Sequence, residues 1–145
     1  MSSGRTGGIR LQMAQYLLDS NAFLWAKTEP HRIRRKAFEE IDSASNQLFV
    51  SLATLWELAI KSSKGKLPVF EAMIASRPLD LLLSESGFGL LDIGLGHVMT
   101  AYRLPYHHRD PFDRMMIAQA LNESMTLITS DETFSHYQGL SVLAA

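Results

Sequence analysis

Residues 110–131 read Asp110-Pro111-Phe112-Asp113-Arg114-Met115-Met116-Ile117-Ala118-Gln119-Ala120-Leu121-Asn122-Glu123-Ser124-Met125-Thr126-Leu127-Ile128-Thr129-Ser130-Asp131. This stretch is a capped helix, a short turn and an apolar strand that stops on an acid. Asp110-Pro111 marks the helix start, since aspartate satisfies free N–H groups there and proline lacks the one N–H that would be orphaned anyway. The spacing predicts a helix from Pro111 to about Asn122. On a 3.6-residue period Asp113 shares a stripe with Met116, Ile117 and Ala120, so it tops the face expected to be buried. A carboxylate buried without a partner is costly, and either a metal ion or an arginine would supply one. Thr126–Thr129 is a strand, and it runs at once into Ser130-Asp131.

The same pattern of strand and then acid opens the ordered part of the chain. Tyr16-Leu17-Leu18 runs into Asp19-Ser20-Asn21, and a short helix, Ala22–Ala26, follows with Ser20 or Asn21 as cap. His31–Ala44 is an amphipathic helix on Ile33, Ala37, Phe38 and Ile41, with a solvated basic end. Leu48-Phe49-Val50 is the second strand. Ser51 caps a helix over Leu52–Ser63, apolar almost throughout to Ile60 except at Glu57, and Gly65 stops it. Pro68 opens a further helix, which Pro78 interrupts before Leu79–Leu83. Gly89–Ile93 is a third strand, Gly96–Leu104 a helix ended by Pro105, and Leu140–Leu143 a fifth, edge strand beyond a helical turn through Phe134. Strands alternating with helices predict a parallel sheet of four to five strands covered on both faces. Ligands in such folds sit beyond the carboxyl ends of the strands, where strand order reverses. Strands one and four each deliver a carboxylate to that edge.

The 145-residue length suits one domain, placed at residues 13–145, with residues 1–12 as a flexible polar leader. A net charge of −1 argues against a wholesale polyanion-binding surface, so nucleic-acid contact would rest on local basic patches. The absence of cysteine removes disulfides and thiolate metal sites, and it fits a reducing cytosol. No apolar run is long enough to span a bilayer. The chain is expected to be cytoplasmic and free of membrane contact.

Four carboxylates stand in apolar surroundings: Asp19, Glu57, Asp113 and Asp131. Each alone has an ordinary explanation. Asp19 and Asp131 suit helix caps, Glu57 suits an i,i+4 pair with Lys61, and Asp113 suits the positive end of its helix. Such an exposed pair gains only a few tenths of a kcal/mol, too little to explain an acid between Trp56 and Leu58. Together the four converge on one pocket if strands one and four are neighbours. Clustered carboxylates repel one another, and hard divalent cations such as Mg²⁺ or Mn²⁺ resolve the repulsion. No histidine pair has helical zinc spacing, and no P-loop, G-x-S-x-G or G-x-G-x-x-G motif is present.

These residues resemble a known family. Leu17–Trp25 and Trp56–Lys61 resemble the first two motifs of PIN-domain ribonucleases; His108–Arg114 with Ile117–Ala120 resembles the third, and Leu127–Asp131 with Phe134 the fourth. The branch it resembles is the VapC-like toxins of type II toxin–antitoxin pairs, over about Tyr16 to Leu143. The resemblance implies an α/β/α sandwich and a metal-dependent endoribonuclease. Asp19, Glu57, Asp113 and Asp131 would gather Mg²⁺ or Mn²⁺, with Asp110 a lesser candidate whose capping role already accounts for it. Ser20 and Thr129 would support the metal ligands. Lys61, Arg109 and Arg114 are candidates for RNA contact, beside Lys64, Lys66, Arg103, His107 and His108. A small antitoxin and a toxin homodimer are the implied protein partners. One departure stands out: where this branch often has Asp-Thr-His, the chain has Asp19-Ser20-Asn21, and Asn21 can act as neither acid nor base.

Two other classes compete. A non-catalytic PIN-like binding module predicts loss of one or more acids, and all four are present. A haloacid-dehalogenase-like phosphatase needs an Asp-x-Asp pair after strand one, and Asn21 stands in the second position.

Overall fold

The computed structural model describes residues 14–145, so the expected leader lies outside the described residues. Among the described residues five strands form one parallel sheet: β1 (Gln15–Leu18), β2 (Gln47–Ser51), β3 (Phe88–Leu91), β4 (Thr126–Thr129) and β5 (Val142–Ala144), in the order β3-β2-β1-β4-β5. The helices are α1 (Ser20–Thr28), α2 (Arg35–Asp42), α3 (Leu52–Ser63), α4 (Pro68–Ser76), α5 (Leu79–Glu85), α6 (Leu95–Arg103) and α7 (Pro111–Glu123), with 3₁₀ turns at Pro30–Arg32 and Glu132–His136. The parallel sheet expected from the alternation is observed, in the α/β/α sandwich that the resemblance implies.

Period-2 alternation along buried strands divides the core between the two faces. Leu18, Val50 and Ile128 pack with Phe23, Leu55, Leu58 and Phe70 on one side. Leu17 and Leu127 pack with Met116, Ile117, Ala120 and Phe134 on the other. Leu17, Leu18, Leu127 and Ile128 are all fully buried, which is why β1 and β4 read as continuous apolar runs.

The chain builds outward from β1 to β3, then returns to add β4 on the opposite side of β1. The order therefore reverses between β1 and β4, whose residues pair as Leu17 with Leu127 and Leu18 with Ile128. A backbone bond from the Asp19 N–H to the Ile128 carbonyl, 3.0 Å, carries the pairing to the strand ends. Asp19 and Asp131 consequently emerge side by side at the reversal point.

Boundaries moved where a partner strand ran out. β3 starts at Phe88 and stops at Leu91, because Leu91 faces Ser51, the last residue of β2. β5 starts two residues later than expected, since the Leu140 N–H still bonds the Tyr137 carbonyl in a turn and Gly139 takes φ +82°. The segment expected as one helix over His31–Ala44 divides into a 3₁₀ turn and α2; Ile33 and Ala37 are buried, while Phe38 is 40% exposed. The first helix is longer than expected and is capped by Asp19, not by Ser20 or Asn21: the Asp19 carboxylate accepts from the Ala22 N–H at 2.9 Å. No helix among the described residues is long and apolar enough to cross a membrane.

Candidate metal centre

Each acid reaches the carboxyl edge of the sheet on a different element. Asp19 ends β1 and is buried, and its cap bond fixes the side chain. Glu57 lies mid-way along α3, also buried, where its Oε1 accepts from the Ser20 hydroxyl at 3.0 Å and its Oε2 lies 3.2 Å from the Lys61 ammonium. Asp113 sits in the first turn of α7, half-buried above Met116, Ile117 and Ala120. Asp131 follows β4, with Oδ1 accepting from the Thr133 N–H at 2.9 Å. Asp110 is exposed, and its Oδ1 accepts from the N–H groups of Phe112 and Asp113 at 2.8 and 3.3 Å. That is the expected cap geometry, and it engages one oxygen fully.

The carboxylates feel one another. Burial pushes Asp19 above the usual carboxylate range; the Thr129 hydroxyl and the Ala22 N–H pull it back, and the charges of Glu57 and Asp131 raise it again. Burial also raises Asp113, and with the charges of Asp110, Glu57 and Asp19 it reaches about 7, against a lowering by His108. Asp131 is likewise raised by burial, but hydrogen bonds from Thr133 and His108 outweigh this and leave it below the ordinary range. The buried Thr129 hydroxyl also accepts from the Asp131 N–H at 3.0 Å, so it touches both strand-end acids.

One group at the site, His108, is read from the sequence only as a candidate for steering an RNA backbone. His108 lies in the loop before α7, where no periodicity points its ring. Its side chain is only 9% exposed, stacked on Tyr137 and set edge-on to Phe134. Nδ1 lies 3.0 Å from the Tyr137 hydroxyl and Nε2 lies 3.1 Å from Asp131 Oδ2. Donor atoms of His108, Asp113 and Asp131 all fall within 4.8 Å of one another. That spacing suits ligands of one cation. Two carboxyls held above their ordinary range by mutual repulsion and burial are also what a divalent ion would relieve. The donor set fits Mg²⁺ or Mn²⁺.

The profile of the PIN domain family matches residues 16–140. The chain belongs to the PIN domain family. Solved structures share this PIN fold at low identity. VapBC2 from Rickettsia felis, bound to a promoter DNA fragment, gives a TM-score of 0.65 at 20% identity, covering 90% of this chain and 98% of that one. DNA-bound VapBC from Salmonella typhimurium gives 0.64 at 17%, covering 91% and 98%. VapBC-1 from nontypeable Haemophilus influenzae gives 0.65 at 18%, covering 90% and 97%. No curated protein matches the chain.

The basic residues of this PIN domain divide by environment. Arg114 was expected at an RNA backbone, but its side chain turns inward. NH1 donates to the carbonyls of Pro105 and His108 at 3.0 and 3.4 Å, NH2 donates to those of Ala101 and Leu104 at 2.8 and 3.1 Å, and the guanidinium lies over the Tyr106 ring. It clamps the loop between α6 and α7, and so holds His108 in place. Lys61 is tied to Glu57, which leaves it balancing charge inside the site. Arg103, His107 and Arg109 are exposed beside the third motif, as are Lys64 and Lys66 after α3. Trp56, 61% exposed, meets Phe112 edge-to-face at 5.4 Å, forming an aromatic rim between the helices that carry Glu57 and Asp113. Although α3 is apolar almost throughout to Ile60 except at Glu57, Leu52 and Trp56 face outward.

Proposed function

We propose that this PIN domain is a Mg²⁺- or Mn²⁺-dependent endoribonuclease serving as the VapC-like toxin of a toxin–antitoxin pair. The observation that carries the reading is the convergence of Asp19, Glu57, Asp113 and Asp131 at the point where strand order reverses, with two of them driven above their ordinary ionisation range. Asp19, Asp113 and Asp131 would hold the ion, and Asp110 lies close enough to raise Asp113 by its charge. When bound, the ion supplies a Lewis acid that acidifies water and offsets charge on a phosphodiester. Glu57, fixed by Ser20 and Lys61, accepts the proton from the attacking water. The water oxygen bonds phosphorus, the bond to the 3′ oxygen breaks as that oxygen takes a proton from solvent, and the products are a 5′-phosphate and a 3′-hydroxyl. Trp56 and Phe112 offer faces on which unpaired bases stack, and the exposed Arg109, Arg103 and Lys64 suit a phosphate backbone.

Purified protein incubated with RNA and Mg²⁺ or Mn²⁺ is expected to cleave it, and EDTA to stop cleavage. Cleavage at an undiminished rate in EDTA would sink the metal assignment. Cleavage of a small aryl phosphate but not RNA would favour a phosphatase.

The partners follow from the same likeness. A small antitoxin would cover the acidic edge, in the cytoplasm, where a toxin acting on RNA works. A second copy would seat on α6, where Leu95, Val98, Met99 and Tyr102 are all exposed along one helical face and Tyr106 extends it. Light scattering is expected to give twice the 16.2 kDa chain mass, falling to the single value in Tyr102→Glu. An unchanged dimer in that variant would move the contact elsewhere.

A further inference from the structure

We propose that His108 is a nitrogen ligand of the bound ion, and that it biases the centre toward Mn²⁺ and later divalent metals over Mg²⁺. The inference rests on the metal-centre reading above and adds a residue that the four-acid pattern does not contain.

Three observations carry it. First, a ring nitrogen of His108 and carboxylate oxygens of Asp113 and Asp131 lie within 4.8 Å of one another, close enough to share one ion. Second, the ring is locked. Tyr137 stacks on it with planes 20° apart, Phe134 meets it edge-on at 4.6 Å, and four carbonyl contacts to Arg114 fix its loop. Third, the two nitrogens have different partners. Nδ1 faces the Tyr137 hydroxyl and Nε2 faces Asp131, so Nε2 is the atom presented to the acids. Histidine ligands are held by a partner on the other ring nitrogen, which fixes the tautomer. In the tautomer where Nδ1–H donates to the Tyr137 oxygen, the Nε2 lone pair is left to meet the ion, whose bond would take the place of the present contact with Asp131.

The chemical consequence is selectivity. Mg²⁺ takes oxygen ligands and retains water, whereas imidazole suits the first-row transition metals and adds affinity along the series from Mn²⁺ onward. The other histidines are placed differently. His97 is buried away from the acids between Gly94 and Glu123, and His107 is exposed, edge-on to Tyr137 and His136.

The test uses Mn²⁺ as both ligand and spin probe on the full chain. Pulsed electron paramagnetic resonance of the Mn²⁺-loaded protein is expected to show directly coordinated ¹⁴N, converting to ¹⁵N in protein grown with ¹⁵N-histidine. The coupling is expected to vanish in His108→Gln and persist in His107→Gln. Calorimetric titration is expected to show the ratio of Mn²⁺ to Mg²⁺ affinity falling roughly tenfold in His108→Gln, the scale seen when support of a metal ligand is lost. Mn²⁺ bound with no nitrogen coupling overturns this inference and leaves the four-acid centre standing. Equal loss of both metals in His108→Gln, with no nitrogen coupling in the parent, likewise reduces His108 to a support for Asp131. Failure of the parent to bind either metal overturns both readings. Should His108→Gln fail to fold, the ¹⁵N-histidine experiment on the parent chain and on His107→Gln still decides the matter.

Discussion

Asp113→Asn is expected to lower RNA cleavage by at least about a hundredfold, because loss even of a group supporting a metal ligand costs 10–100-fold. The same variant is expected to be more stable than its parent when both are stripped of metal. The sign follows from ionisation. Burial and the charges of Asp110, Glu57 and Asp19 hold the Asp113 carboxyl at about 7 in the folded protein, far above its ordinary 3.8. Between those values the native chain keeps a proton that the unfolded chain has released, so stability falls as pH rises through that window. Asparagine carries no charge and removes the loss. The gain at pH 8 is about 1–2 kcal/mol, discounted because Asp113 is only half-buried. That corresponds to several degrees in Tm for a chain of this size. A variant that loses both activity and stability would show instead that Asp113 is a structural residue.

The second large effect is the response of the parent protein to divalent metal. In EDTA, Tm is expected to fall between pH 5 and pH 8, since Asp19 is raised in the same direction as Asp113. Asp131 acts the other way: its lowered value contributes stability at neutral pH that is lost only as pH falls to acidic values. Saturating Mg²⁺ or Mn²⁺ is expected to reverse the slope above neutrality: the ion competes with the proton on Asp113 and binds better as that proton leaves. At a hundred times Kd the stabilisation is about 2.7 kcal/mol. A Tm that ignores millimolar metal at pH 8 would contradict a preformed centre.

The stretch 110–131 was legible because each signal in it is local. The Asp110-Pro111 cap, the apolar stripe of α7 and the run into Asp131 all appear where expected. That strands one and four are neighbours, the condition for gathering the acids, is not fixed by the alternation of elements and comes from the observed strand order. What depended on other parts of the chain was harder to read. β3 ends where β2 offers no further partner, a length set 40 residues away. Arg114 follows Asp113 directly, and on a helix adjacent residues face different ways; it turns to the carbonyls of the preceding loop, which no spacing in α7 records. His108 is aimed at Asp131 by Tyr137 and Phe134, residues at the far end of the chain. Glu57 makes the i,i+4 pair with Lys61 that its spacing offers, and its second oxygen, Oε1, is turned to Ser20 beside Asp19, a partner no helical spacing records.

The fate of the phosphodiester decides most directly whether the four acids and their ion form a ribonuclease centre. Short single-stranded RNA incubated with the purified chain and Mn²⁺, and mapped at both ends of the cut, is expected to carry 5′-phosphate and 3′-hydroxyl termini, with no cut in EDTA. Termini bearing a 2′,3′-cyclic phosphate, formed at the same rate with and without EDTA, would contradict it.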